Sequence, residues 1–386
     1  MKKLALRKDR FVTVAHRRYL VRPAIVSLLL LTGCTAQGPK NVPQDRFNYT
    51  EAISESSTRQ MLTNLVRLRY LRFPTFLSVT SVITNYTYRG DVGVRGQAGL
   101  ENPPVQGAGS LIGGSANLTY SERPTITYTP LSGEAFTRRM VSPIPVEAIS
   151  SLGQSGWPVD LLLLTTISRI NKVENLSFSP VPAPGEIERK RQIRDNLESY
   201  QVFKRVVHIL LIMFDAQIAE VQRDSEGSND LEFVIAKNIP PQYQPLEIEL
   251  RTKLGLDPMK NRFRITSRTT GLRSDEISIQ TRSLLATMLF LSKGVDVPSV
   301  DLTEGHVYPV STESANPQES IVPLHVRTSQ TPPEEAFVAA QHRGNWFYVD
   351  NSDTQSKRMF TLLMFLFELQ APAGGGAAPL LTLPTG

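Results

Sequence analysis

The sequence predicts an α+β fold, with one or more mostly antiparallel sheets and helices packed against them. Segments rich in β-branched and aromatic residues come in groups, apart from segments whose apolar residues recur at helical spacing. Such grouping favours α+β over a fold in which strands and helices alternate. The chain of 386 residues is long enough to bury a sizeable core. Because Cys34 is its only cysteine, that core is predicted to hold without a disulfide.

Residues 1–33 are predicted to be an export signal that is cleaved from the mature protein. The first 22 residues carry eight basic side chains and one acidic side chain, and residues 24–31 form an uncharged, mainly apolar run. That run suits a signal sequence and falls far short of the ~20 residues that span a bilayer. Arg17 and Arg18 leave open whether export uses the general or the twin-arginine route.

The apolar run ends in Leu31-Thr32-Gly33-Cys34, which resembles the lipobox of bacterial lipoproteins. The resemblance implies that the signal peptidase recognises Leu31, Thr32 and Gly33, and that Cys34 carries covalent lipid. Thr35 stands where an aspartate would resemble an inner-membrane retention signal. The chain is therefore predicted to be anchored in the outer membrane, facing the periplasm. Several acyl chains at ~0.8 kcal/mol per buried methylene would make the attachment effectively permanent.

Three further blocks, at residues 64–70, 124–128 and 356–358, resemble those of uncharacterised proteobacterial outer-membrane lipoproteins. That resemblance implies no activity, cofactor or catalytic residue.

The net charge of +6 comes from the signal segment. This segment holds 8 of the 42 basic residues and 1 of the 36 acidic residues. The chain from Cys34 onward therefore has 34 basic and 35 acidic residues, a net charge of −1. A nearly neutral body has no field that would attract a polyanion, so nucleic acid is not predicted as a partner.

The N-terminal half is predicted to contain a tether and a first α+β region. Residues 34–46 are polar with two prolines and are predicted to be a lipidated tether. The α+β region over 47–178 is predicted to include helices over 49–71, 134–141, 146–152 and 159–170, and strands over 76–89 and 117–129 that pair with each other.

A glycine-rich segment over 90–115 separates these two strands. No helix opens from its glycines, so a phosphate-binding loop is not predicted. The segment is interpreted as a long loop, and both disorder and a functional excursion remain open.

The C-terminal half is predicted to be a second α+β region over 186–371, after a proline-rich linker at 179–185 and before a flexible tail at 372–386. Helices are predicted over 186–222, 275–292 and 353–369, and strands over 231–236, 246–251, 262–267, 322–328, 336–341 and 346–349. The last helix is apolar on all sides, which is typical of a core element; an interface between copies is the alternative.

Candidate catalytic residues are few. The mature chain has four histidines, which are His208, His306, His325 and His342. None stands at the spacing of metal ligands, and neither a metal nor a cofactor is predicted. A serine triad needs no local motif, so a dispersed active site stays open.

Two hypotheses for function follow from the sequence. The first is a lipid-anchored envelope protein, a structural, assembly or adaptor component without catalysis, whose partners are the membrane through Cys34 and another envelope protein. The alternative is a lipid-anchored periplasmic hydrolase with a dispersed active site. A pocket that joins a histidine with a serine and a carboxylate would favour the hydrolase.

Overall fold

The computed structural model describes residues 38–84, 86–97, 111–176, 185–223, 230–307 and 322–370. The predicted α+β class is confirmed, since helices combine with antiparallel and mixed sheets. The chain divides into two units: Met1–Ser54 with Ile83–Thr125, and Glu55–Val82 with Ile126–Gly386. None of the helices in the described part of the chain has the length and apolar character needed to cross a membrane.

The α-helices of the described residues are α1 (Gly38–Arg69), α2 (Glu134–Val141), α3 (Val146–Gln154), α4 (Val159–Thr166), α5 (Glu186–Asp215), α6 (Gln244–Leu254), α7 (Leu284–Leu291), α8 (Ser299–Thr303) and α9 (Thr354–Gln370). The strands are β1 (Phe76–Ile83), β2 (Tyr86–Gln97), β3 (Leu111–Glu122), β4 (Thr125–Leu131), β5 (Ile167–Ile170), β6 (Val173–Glu174), β7 (Ala219–Arg223), β8 (Leu231–Ile235), β9 (Arg262–Thr266), β10 (Glu276–Thr281), β11 (Arg327–Ser329), β12 (Ala336–His342) and β13 (Asn345–Asp350).

The first unit contains an antiparallel hairpin formed by β2 and β3. Twelve consecutive residue pairs run without a register shift from Tyr86↔Glu122 to Gln97↔Leu111. The prediction of a loop over 90–115 is therefore wrong for 90–97 and 111–115, while 98–110 lie outside the described residues. Glycine weakens a strand because it has no side chain to pack, yet a continuous ladder still satisfies the backbone groups that face the partner strand.

The second unit has two apolar cores. The first lies between the last part of α1, the helices α2, α3, α7 and α9, and the three-stranded sheet β11–β13–β12. Its fully buried side chains include Leu62, Leu65, Leu284, Met288, Phe347, Phe360 and Leu363. The predicted strands at 336–341 and 346–349 are confirmed as β12 and β13, and the predicted last helix is α9. The Asp353 carboxylate caps α9 by accepting a hydrogen bond from the Ser356 amide at 3.0 Å.

A second core lies under a six-stranded sheet of order β6–β5–β10–β9–β8–β7, which α5 and α6 cover. All neighbouring strands are antiparallel except β9 and β10. Phe203 of α5, Leu250 of α6 and Phe263 of β9 are fully buried in this core. The sheet takes β5 and β6 from before the predicted linker at 179–185 and the other strands from after it; residues 177–184 lie outside the described residues.

Side-chain amides attach the start of β1 to α1. Asn64 donates from Nδ2 to the Thr75 carbonyl at 2.7 Å and accepts from the Thr75 amide at 2.9 Å. One helical turn earlier, Gln60 exchanges the same two bonds with Leu77, at 3.1 and 2.6 Å. Each side-chain amide thus makes the two hydrogen bonds that a neighbouring strand would make. The backbone groups of Thr75 and Leu77 are satisfied in this way.

Two predicted elements are wrong in type. Residues 246–251 were predicted to form a strand because apolar and charged residues alternate there, but they lie in α6. Leu246, Leu250 and Leu254 recur at a spacing of four, which also fits a helix, and Gly255 ends it with a φ of 68°. The helix predicted over 275–292 is instead strand β10 followed by α7, which Ser283 caps by accepting from the Ala286 amide.

Several boundaries also differ from the prediction. Helix α1 begins at Gly38, so residues 38–46 of the predicted tether are helical, with Pro43 inside the helix. The helix predicted over 159–170 ends at Thr166 and continues as β5, and the helix predicted over 186–222 ends at Asp215 before β7. The strand predicted over 322–328 is reduced to the short β11.

Candidate functional site

The predicted lipidation site cannot be placed in the fold. Leu31, Thr32, Gly33 and Cys34 lie outside the described residues, which begin at Gly38. The lipid attachment therefore stays a prediction.

The four candidate histidines occupy three separate places in the fold. His208 is exposed on α5. The Nε2 atom of His325 lies 2.9 Å from Oδ2 of Asp296. His306 and His342 both lie close to Tyr70, at the end of α1. In the described part of the chain, no histidine ring nitrogen has a serine hydroxyl as a hydrogen-bond partner.

The group around Tyr70 is a buried polar network. The Tyr70 hydroxyl donates to Oδ2 of Asp301 at 2.6 Å, and Nδ1 of His306 lies 3.0 Å from Oδ1 of the same carboxylate. The Tyr70 and His342 rings are stacked at a tilt, with centroids 5.3 Å apart. Only 6% of Tyr70 and 5% of Asp301 is exposed.

The turn between β12 and β13 brings a cation to this network. Arg343 and Gly344 form the turn with φ values of 50° and 82°, the positive values that a two-residue hairpin of type I′ requires. The Arg343 guanidinium lies 5.8 Å from the centre of the Tyr70 ring and 3.8 Å from Oδ1 of Asp301. The network therefore joins the end of α1, helix α8 and the β12–β13 turn.

Electrostatics fix the protonation of the network at neutral pH. Burial, and then the hydrogen bond to Asp301, raise the pKa of Tyr70. Burial alone would raise the pKa of Asp301, but hydrogen bonds from Tyr70 and His306 outweigh it and hold that pKa below its usual value. A protonated phenol bonded to a charged carboxylate is not a ready nucleophile. The geometry suits a structural tie between elements.

His342 makes this network sensitive to acid. Burial, and then repulsion from Arg72 and Arg343, lower the pKa of His342, and its Nε2 atom is buried without a hydrogen-bond partner in the described part of the chain. Below the unfolded pKa of about 6.5 the unfolded chain binds a proton that the folded chain does not, so stability falls as pH falls. We expect His342→Phe, which keeps the ring, to stabilise the protein increasingly as the pH is lowered from about 7.5 to about 5.5. Urea unfolding at several pH values measures this difference.

His325 provides a control, because its effect on stability should change with pH in the opposite direction to that of His342. The hydrogen bond that His325 donates to Asp296 raises the pKa of His325, so its contribution to stability is present at low pH and lost as pH rises through the folded pKa. The destabilisation caused by His325→Phe should therefore shrink as pH rises. Parallel trends for the two variants would contradict both assignments.

The hairpin β2–β3 has two chemically different faces. One face has the pairs Tyr86↔Glu122, Tyr88↔Tyr120, Gly90↔Leu118, Val92↔Ala116, Val94↔Gly114 and Gly96↔Ile112, and the other has Thr87↔Ser121, Arg89↔Thr119, Asp91↔Asn117, Gly93↔Ser115, Arg95↔Gly113 and Gln97↔Leu111. Between the two end pairs, the first face is apolar and the second is polar. On the polar face, residues 87, 89, 91, 93, 115, 117 and 119 are exposed. Such alternation is typical of a sheet that turns one face to solvent and the other to an apolar surface.

Gly93, in one pair of the polar face, lies where a side chain would be crowded. A Cβ atom added at Gly93 would lie 2.9 Å from the Ser115 hydroxyl on the opposite strand. Glycine therefore allows the two strands to pair closely at this position.

Sequence reasoning did not identify the buried Arg282, which lies between β10 and α7. Its guanidinium donates to the carbonyls of Leu164 at 3.1 Å, Thr165 at 2.7 Å and Leu176 at 2.8 Å. Burial lowers its pKa to about 10, so the group stays charged at neutral pH. No local signal marks it, because its acceptors lie more than 100 residues away along the chain.

Comparisons of the chain with protein-family models, with curated proteins and with solved structures give no match. Function is therefore argued from the geometry of this chain.

Proposed function

We propose that this chain is a lipid-anchored protein of the outer membrane, facing the periplasm, that acts as an adaptor or assembly component by binding another envelope protein. The observation that carries the proposal is the unbroken register of β2 and β3, in which the ten pairs from Thr87↔Ser121 to Gly96↔Ile112 sort apolar and polar residues onto opposite faces. An apolar face of this length supports binding to a complementary apolar surface.

The edges of the hairpin support a protein partner over a small molecule. Among the described residues, β2 and β3 form a sheet of two strands, so each pairs on one side only. An unpaired strand edge presents backbone donors and acceptors that another strand can bind.

The charges of the hairpin also favour a protein over a lipid surface. Arg89 and Asp91, both exposed, place both signs of charge on the polar face. An element that lies on anionic lipid is normally rich in lysine and arginine on that face.

Site-specific photocrosslinking in living cells tests the proposal. A photoreactive amino acid placed at Leu118, on the apolar face, should give a discrete protein adduct. The same amino acid at Thr252, exposed on α6 in the second unit, is the control and should not give that adduct. The adduct from position 118 is then identified by mass spectrometry.

Matched variants on the two faces sharpen the test. Val92→Asp introduces a charge on the apolar face and should abolish the adduct, because a charge in an apolar interface is costly. Thr119→Asp introduces the same charge on the polar face and should leave the adduct intact. No discrete adduct from position 118, or equal effects of the two aspartates, would refute binding through the apolar face.

A further inference from the structure

Arg282 carries a buried positive charge that no carboxylate of the described residues neutralises. Only 8% of the residue is exposed, and its polar partners are three backbone carbonyls. The guanidinium also lies 4.3 Å from the centre of the Phe290 ring. A guanidinium has five N–H groups, so three bonds leave two donors without an acceptor from the described residues.

A cavity of about 300 Å³ opens beside this guanidinium. Its polar lining includes Gln280, Arg282 and Lys293, and its apolar lining includes Leu71, Leu289 and Phe290. The Nε2 atom of Gln280 is buried and has no hydrogen-bond partner among the described residues. Buried polar groups are rarely left unpaired, so this donor calls for an explanation.

The other polar groups around the cavity have partners within the protein. The Ser168 hydroxyl donates to the Gln280 carbonyl at 2.9 Å. Asn175 donates to two carbonyls and accepts from the Leu176 amide. Arg169 and Glu174 form an ion pair at 2.5 Å. Gln280 therefore offers an NH2 group and Arg282 two N–H groups that no described residue accepts from, and Lys293 adds a second positive charge.

We propose that this cavity binds a small carboxylate with an apolar body, such as a medium-chain fatty acid. The carboxylate would accept hydrogen bonds from Gln280 and Arg282, and the apolar body would pack against Leu71, Leu289 and Phe290. A role for Arg282 in tying backbone carbonyls explains three of its N–H groups, but it does not explain the unpaired amide of Gln280. The volume lies at the low end of the range for ligand pockets, which favours a small ligand.

Octanoate labelled with ¹³C at its carboxyl carbon is the probe. The full chain with Cys34→Ser is used so that no detergent competes for the probe. We expect a saturable change in the carboxyl resonance with a stoichiometry of one. 1-Octanol should compete at least about tenfold more weakly, because it lacks the charge that strengthens hydrogen bonds to Arg282. Acetate should compete poorly because it has no apolar body.

Variants separate a ligand site from a structural role. Gln280→Leu removes the unpaired donor at nearly constant volume and should weaken octanoate binding by about tenfold without loss of folding. Gln341→Leu, at an exposed position of β12, is the matched control and should bind as the parent does. Because Arg282→Met removes three internal hydrogen bonds and endangers folding, Lys293→Met tests the contribution of charge instead and should also weaken binding.

Three results would overturn the proposal. One is the absence of saturation at millimolar octanoate. Another is equal competition by octanol and octanoate. The third is unchanged binding by both Gln280→Leu and Lys293→Met in folded protein.

Discussion

Replacing Cys34 with serine is expected to move the protein completely from the membrane fraction to the soluble periplasmic fraction. The proposed anchor needs a thiol to accept the first lipid, and a serine hydroxyl does not replace it. Each buried methylene of the lost acyl chains contributes ~0.8 kcal/mol to attachment.

Fractionation of the envelope, followed by mass measurement of the N-terminal peptide, tests this expectation. The parent chain should yield a peptide that begins at Cys34 and carries the mass of acyl chains. Thr35→Ser, next to the cysteine, is the control and should leave both lipid and location unchanged. A Cys34→Ser protein that stays in the outer membrane would show that the proposed anchor is wrong.

Elements whose pattern is purely local were predicted well. Helix α9 follows from a capping aspartate and a continuous apolar segment, and β12 and β13 follow from short aromatic and β-branched runs. The segment 246–251 was misassigned because Leu-Glu-Ile-Glu-Leu-Arg fits a period of two as well as a spacing of four. Only the packing of this segment against α5 favours the helix over the strand.

The segment 275–292 shows how tertiary partners decide an element. Glu276 is 2% exposed, and its Oε1 atom lies 2.9 Å from guanidinium nitrogens of both Arg264 and Arg268. These bonds hold the carboxylate in β10, next to β9. The sequence predicts a helix here because Ser274 or Asp275 fits a cap and Gly294 fits the end, and the arginine partners of Glu276 are not visible locally.

The polar sites could not be predicted from local sequence patterns either, because their residues are far apart in the chain. Tyr70 and Asp301 are 231 positions apart in the chain. The sequence identified His306 and His342 as candidates, but it gave no reason to place both beside Tyr70. Arg282 and Gln280 were not identified, since burial and an unpaired amide become visible only when β5, β10 and α7 are assembled.

Phe360→Ala is expected to destabilise the protein by about 3–5 kcal/mol, the range for an aromatic side chain removed from a packed core. Phe360 is fully buried in α9, and its ring centre lies 5.9 Å from that of Phe337 in an edge-to-face contact. The neighbouring helix side chains are held by α7 and β13, so the space cannot close without moving several elements. Urea unfolding of the Cys34→Ser chain measures the loss.

Phe365→Ala in the same helix is the matched control. Its side chain is 48% exposed and contacts the Trp157 ring, with centroids 5.3 Å apart. Loss of one aromatic pair at a half-exposed position should cost no more than about 1.5 kcal/mol. If α9 instead joins two copies of the chain, Phe365→Ala should lower the molecular mass in solution, whereas Phe360→Ala acts on stability. Equal losses of stability for the two variants would contradict the assignment of Phe360 to the core.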